Sequence, residues 1–282
     1  VLQRKWNRSN PIHLVVRNPY QEYMLGILIG FIIGIVQGVT EILPISSTAH
    51  LILSGRLLGM PERGLEFDVF MNFASWLAII IFFYETLWGI LKSWVRYGQT
   101  QDIKKLRPQD QRFAKLGVYL IVSMIPAVIA GLIFEEVIEN YLRSNLIIGV
   151  SLIFGGVLLW IADSYTEGKK SVREVPWWKV LIVGCFQTLA LIPGMSRSGS
   201  TITGARFMGF SREESASFAF LMGTPIIIAA TVSQLPGLMQ NSTIFDWDIL
   251  AGFIGAIIGT YATIALFMEF IKRQTYTVFV IY

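Results

Sequence analysis

The chain has 282 residues, 54% of them hydrophobic and only 15% charged, with a formal net charge of +4 and a single cysteine. Soluble domains carry about 25% charged residues, so this composition excludes an ordinary water-facing globule. The small positive excess reads as membrane topology, not as a nucleic-acid surface, and lone Cys185 excludes a disulfide framework.

Residues 1–24 form a polar, basic tail with Arg4, Lys5, Arg8 and Arg17. No initiator Met and no cleavable signal peptide is visible, so a fragment or processed chain is expected, and His13 is given no role. Leu25–Leu58 is apolar but interrupted at Glu41-Ile42-Leu43-Pro44-Ile45-Ser46-Ser47-Thr48-Ala49-His50. Apolar runs follow at Val69–Tyr84, Leu116–Phe134, Leu146–Ala162, Phe218–Val232 and Ile249–Ile271. Several approach or exceed the ~20 residues that cross a bilayer as helix. The predicted fold class is an all-α polytopic membrane protein. Zinc spacings, a Walker A sequence and a Rossmann GxGxxG are all missing from the sequence.

Charge sorts the connections. Lys92, Arg96, Lys104, Lys105, Arg107, Arg112 and Lys115 follow the first full span, and Lys169, Lys170, Arg173 and Lys179 lie near residue 170. Glu135–Asn145 is acidic and Gln234–Asp248 has no basic residue. The positive-inside bias puts the first two connections in the cytoplasm and the last two outside. Under that scheme a same-side hairpin at Leu25–Leu58 leaves the basic tail outside, against the same bias; a full crossing by Leu25–Leu43 is the other solution.

An internal repeat carries the stronger signal. VQGVTEILPISSTAHLILSGRLLG, from Val36, aligns without gaps on FQTLALIPGMSRSGSTITGARFMG, from Phe186. Gln37 falls on Gln187, Ser46 on Ser196, Arg56 on Arg206 and Gly59 on Gly209. Each copy reads as a short helix, a Pro-containing break (Pro44, Pro193), a Ser/Thr cluster and a second short helix, neither half long enough to cross alone. Matching interrupted segments in two halves point to paired broken helices around a midplane site. The expected organisation is a first repeat over 25–163, with a re-entrant hairpin at 25–58, and a second over 177–282, with a hairpin at 178–210. About three transmembrane helices per half make the repeat inverted. The last span is expected to begin near Tyr276 and to be incomplete at Tyr282.

Non-helical backbone at membrane depth must be buried in protein or line a wet cavity. A Ser46 or Ser47 hydroxyl capping the second half-helix would aim a helix N-terminus at an anion, and Ser196-Arg197-Ser198-Gly199 repeats the device with a planar cation. The first copy has Glu41 and His50 where the second has Leu191 and Ser200; the second has Arg197 where the first has Ser47. One half thus offers acid/base groups and the other an anion clamp. Ser47 is the preferred nucleophile, and His50, three residues on, shares its helical face as base or acid. Water or His50 itself as nucleophile stays open. Glu41 either orients His50 or holds a divalent cation. On spacing alone, Arg197 also fits a structural ion pair with Glu41, and Pro44 and Pro193 fit simple kinks. Ionisable groups inside a membrane are nevertheless functional candidates by default. Elsewhere, Ser211-Arg212-Glu213-Glu214 fits a capping box, Gly252, Gly255 and Gly259 fit close helix packing, and Trp177 and Trp178 fit an interfacial belt.

QGVTEILPISSTAH and PGMSRSGSTITGARFMGFSREESASFAFLMGTP, in this order on a repeat, resemble the two signatures of the undecaprenyl-pyrophosphate phosphatase family, also called the bacitracin-resistance protein family. The resemblance runs from about Leu25 to the C-terminus. It implies an integral enzyme of the bacterial cytoplasmic membrane that removes the terminal phosphate of undecaprenyl diphosphate, with its site toward the extracytoplasmic side. It also implies a divalent metal, Mg2+ or Ca2+, a polyprenyl diphosphate lipid as substrate, and no nucleic-acid partner; a homodimer is left open. Carried over by position, the site residues are Gln37, Glu41, Ser46, Ser47, Thr48, His50, Ser196, Arg197, Ser198 and Thr201. Gln37 takes a Glu-or-Gln place and Ala49 stands where many members have Gly. A polyprenyl-phosphate transporter or flippase built on the same pocket is the competing class.

Overall fold

The computed structural model describes residues 19–57, 65–142, 144–165, 168–225 and 246–282. The regular elements there are helices, joined by one isolated bridge between Lys170 and Phe210. In chain order they are α1 (Pro19–Ile42), α2 (Ser47–Leu57), α3 (Leu65–Phe82), α4 (Tyr84–Thr100), α5 (Pro108–Tyr141) and α6 (Asn145–Tyr165). There follow α7 (Trp177–Thr188), α8 (Arg197–Phe207), α9 (212–225), α10 (Trp247–Arg273) and α11 (Thr277–Ile281).

Four helices are long and apolar enough to cross a membrane, within α1, α5, α6 and α10, and α3 with α4 forms a fifth apolar pair bent by 74°. The bend follows from Phe83, which leaves helical geometry (φ −98°, ψ 19°) at the junction. Exposed Val118, Ile121, Ile125, Ile129 and Leu132 on α5, and Leu146, Val150, Ile153 and Val157 on α6, give these helices the outward apolar faces of lipid-embedded spans. The protein is a multi-pass all-α membrane protein. The run Phe218–Val232 is seen as helix to residue 225; its remainder, the basic tail up to residue 18 and most of Gln234–Asp248 lie outside the described residues.

One expectation is corrected. The first half-segment of the first hairpin is not short: α1 has 24 residues, and Tyr23–Ile42 is long and apolar enough to span alone. Nothing breaks the helix before Ile42, and its glycines are a packing device. A Cβ at Gly34 would meet the Gly252 carbonyl and the Ala256 nitrogen, and one at Gly38 would lie 2.5 Å from the Thr260 nitrogen. Backbone therefore packs on backbone along α1 and α10, as small residues permit where no hydrophobic force distinguishes helix from lipid. The second hairpin keeps the expected short form. Its α7 has 12 residues and ends in a 3-10 turn at Leu189–Leu191 before Gly194 turns the chain at φ +95°.

Two buried apolar clusters hold the hairpins in place. One joins Ile90, Leu116, Tyr119, Val180, Val183, Phe210, Phe218 and Leu221. The other joins Ile42, Trp76, Ile79, Leu159, Ile202, Phe220, Ile264, Phe267 and Tyr276. Ile42 at the end of α1 and Ile202 in the middle of α8 share this second cluster, which fixes the two breaks in space. Ser211 caps α9 by accepting from the Glu214 amide at 3.1 Å, but the Glu214 carboxylate accepts from the Val172 amide instead of closing the capping box. A reciprocal box forms instead between Ser171 and Glu174. Trp177 and Trp178 are exposed at the start of α7.

Candidate active site

The two breaks meet. The Ser198 hydroxyl donates to the Leu43 carbonyl at 3.2 Å, and a Cβ at Gly199 would sit 3.3 Å from the Pro44 Cβ. Ser196 is the N-cap of α8: its hydroxyl accepts from the Gly199 amide at 3.1 Å and lies 3.0 Å from the Ser198 hydroxyl. The expected capping geometry is therefore present in the second copy. In the first, Ser46 precedes α2 in the left-handed region at φ 66°, a conformation that costs a non-glycine residue roughly 1–2 kcal/mol. Such strain, held by a buried surrounding (Ser46 is 4% exposed), is a mark of functional loops.

Across this junction Arg197 donates to Glu41 Oε1 through Nη2, an ion pair between the first residue of α8 and the last turn of α1. The other carboxylate oxygen, Oε2, accepts the Ser47 hydroxyl at 2.7 Å and the Gln37 amide Nε2 at 3.3 Å. Gln37, Glu41, Ser47 and Arg197 are thus one connected group drawn from both hairpins.

The remaining expected residues are placed differently. His50 does not reach Ser47: its Nδ1 lies 2.8 Å from the Ser46 carbonyl, and its Nε2 lies 2.8 Å from the Tyr282 hydroxyl, with the two rings stacked. A carbonyl partner requires a proton on Nδ1, so the Nδ1 end of the ring is committed to the backbone. Residues three apart do share a helical face, but Glu41 crosses the break and occupies the Ser47 hydroxyl first. Thr201 is fully buried and returns its hydroxyl to the Arg197 carbonyl at 2.9 Å, so it braces the first turn of α8. Thr48 is exposed at the start of α2.

Two contributors come from outside the hairpins. Asn72 on α3 accepts from Gln37 Nε2 at 2.8 Å. Gly223 on α9 supplies a carbonyl 3.4 Å from Arg197 Nη1, and a Cβ there would run into that nitrogen and lie 2.9 Å from Cζ. A polar Asn inside the apolar run Val69–Tyr84 was a readable signal for the first; Gly223 lies within the quoted second signature but marks nothing by pattern.

The donor set offers a divalent cation few protein ligands. Among the described residues no three His, Cys, Asp or Glu side chains converge on one point. Glu41 is nevertheless accompanied by an acceptor in need of a partner, since Gln37 Oε1 is buried with no hydrogen bond. A hard cation held by one carboxylate, one amide oxygen, water and the oxygens of a diphosphate suits this set, the usual arrangement for Mg2+. The residues fit a cation that arrives with its phosphates, not a cage made by protein alone.

With both breaks and their residues in place, comparison with known families gives a match to the model described as bacitracin resistance protein BacA, over residues 30–282. That span includes both helix breaks, every side chain of the Gln37–Glu41–Ser47–Arg197 group, Asn72 and Gly223. The chain belongs to the bacitracin resistance protein BacA family.

Proposed function

We propose that the protein is a hydrolase of the bacterial cytoplasmic membrane that removes the terminal phosphate of undecaprenyl diphosphate, working from the extracytoplasmic side. The single observation that carries this reading is the Arg197–Glu41–Ser47 link, which sets an anion clamp, a carboxylate and a hydroxyl side by side across two broken helices. Arg197 and the N-terminus of α8 bind the phosphate oxygens, with Ser196 and Ser198 lining that end. Ser47 attacks the terminal phosphorus and passes its proton to Glu41 Oε2, which already accepts its hydrogen bond. The bond from that phosphorus to the bridging oxygen breaks, and undecaprenyl phosphate leaves. Water then hydrolyses the phosphoserine, releasing phosphate and restoring Ser47. Gln37 and Glu41 would hold Mg2+ or Ca2+, which supplies charge neutralisation to the diphosphate when bound. Exposed Ile52, Leu53 and Leu57 farther along α2 offer an apolar path for the isoprenoid next to the phosphate end. His50 serves at the edge of the site through its Nε2, away from the Ser47 proton. The two hairpins are read as inverted repeats.

The test is phosphate release from a polyprenyl diphosphate by protein purified in detergent, with a chelator control. We expect metal-dependent release that falls at least about 100-fold on Arg197→Ala, Glu41→Ala or Ser47→Ala, since these remove the phosphate clamp, the proton acceptor and the nucleophile in turn. Full release by these variants overturns the assignment. Movement of the lipid between leaflets without release would make the protein a transporter instead.

A further inference from the structure

Asn72 lies on α3, outside both hairpins, yet it makes the shorter of the two hydrogen bonds to the Gln37 amide: 2.8 Å to Asn72 Oδ1 against 3.3 Å to Glu41 Oε2. Gln37 is 1% exposed, and its remaining polar atom, Oε1, is buried without a partner. A glutamine has two chemically opposite ends, and only one orientation leaves an oxygen available. If the amide turned over, its oxygen would face the oxygens of both Asn72 and Glu41, and its NH2 would take the orphan position.

We infer that Asn72 is a positioning residue that locks the Gln37 amide with its nitrogen toward Glu41 and its oxygen free to accept a cation. This rests on the phosphatase reading for its activity arm only. The bond to Glu41 is the weaker hold, and it weakens further whenever Glu41 carries the Ser47 proton on Oε2, because the acceptor then loses its charge. Asn72 keeps the orientation through that step. A carboxylate at position 37 has two equivalent oxygens and needs no such orientation, so the dependence on Asn72 belongs to the glutamine.

The experiment is a double-mutant cycle with Asn72→Leu, Asn72→Asp and Gln37→Glu in purified full-length protein. Two readouts are taken: phosphate release as a function of MgCl2, and the shift in Tm on adding MgCl2 with inorganic pyrophosphate, which needs no turnover. Asn72→Leu should lower kcat/KM about 10-fold or more, raise the MgCl2 needed for half-maximal rate, and shrink the Tm shift, the usual effect of removing an outer-shell partner. Asn72→Asp keeps the acceptor and should stay within about threefold of the parent. In the Gln37→Glu background the order reverses. There Asn72→Leu should cost little, and Asn72→Asp should cost the most because it places two carboxylates face to face. Equal losses for Asn72→Leu in both backgrounds, or an Asn72→Asp as damaged as Asn72→Leu, overturns the inference. If the parent protein releases no phosphate but the Tm arm follows the expected pattern, the phosphatase reading fails and the positioning role stands.

Discussion

At the scale of single residues the site depends on how little room surrounds Arg197. Its guanidinium has to reach Glu41 across two helix breaks while passing over the backbone of α9, and Gly223 provides the clearance. Gly223→Ala should therefore push the guanidinium off Glu41 without disturbing the fold elsewhere. Since a displacement of about 1 Å in a clamp costs roughly 100-fold, kcat/KM for phosphate release should fall about that much, with Tm nearly unchanged. Release rates and thermal melts of the same preparation check this, and an unimpaired variant would show that Arg197 does not need its present path. The sequence made Glu41, Ser47 and Arg197 legible because breaks inside a membrane segment announce themselves in residue type. Gly223 was not legible as a site residue, because it enters from α9 and no periodicity marks which glycine faces a break; Asn72 showed only as a polar residue in an apolar run, with nothing to say that α3 brings it to Gln37. The pairing of Ser47 with Glu41 instead of His50 was hidden for a related reason. Helical spacing describes neighbours within α2, but Glu41 approaches from the preceding helix through a turn whose left-handed Ser46 no spacing rule anticipates.

At the scale of elements, the first hairpin is held by backbone contact more than by side-chain interdigitation. Gly30, Gly34 and Gly38 present one smooth face of α1 to α10. The glycines of α10 were readable as a packing motif, but the length of α1 was not. Aligned on the short α7, the first copy looked like a half-helix; the helix in fact continues back to Pro19 through residues that the repeat does not cover. The consequence is mechanical. Any side chain at Gly34 separates the two helices and moves Glu41, two turns further along. Gly34→Ala should destabilise the protein by about 1–3 kcal/mol, the cost of overpacking a tight contact, and Gly34→Leu by more. Thermal unfolding in detergent measures it, and a substitution at Gly149, around which nothing lies within 4 Å of a built Cβ, is the control expected to leave Tm unchanged.

At the scale of the whole molecule, the far end of α8 is anchored as firmly as its N-terminus is exposed to chemistry. Asp163 on α6 is buried between two guanidinium groups. Arg212 at the start of α9 donates to both its oxygens, from Nε at 2.8 Å and Nη2 at 3.1 Å. Arg206 at the end of α8, 1% exposed, brings its Nε within 3.1 Å of Oδ1, close enough for charge attraction though not aligned as a hydrogen bond. The Tyr276 amide, just before α11, donates to Oδ2 at 3.2 Å, and the Tyr276 hydroxyl donates to the Arg212 carbonyl at 3.1 Å. One carboxylate thus ties α6, α8, α9 and the last helix together. Because α8 is a single rigid helix from Arg197 to Phe207, this clamp also sets where Arg197 stands. Asp163→Asn removes the negative charge while leaving the buried Arg206 cation, with half-buried Arg212 beside it, a change that costs about 3–5 kcal/mol. The variant should melt early and lose activity together with stability. Asp163→Asn combined with Arg206→Met removes one of the stranded charges and should recover a large part of the Tm. Activity then separates two roles for the clamp: if it returns with Tm, the clamp serves only to hold the fold. If Tm returns and kcat stays low, Asp163 and Arg206 also fix the height of Arg197 against Glu41, as the rigidity of α8 requires.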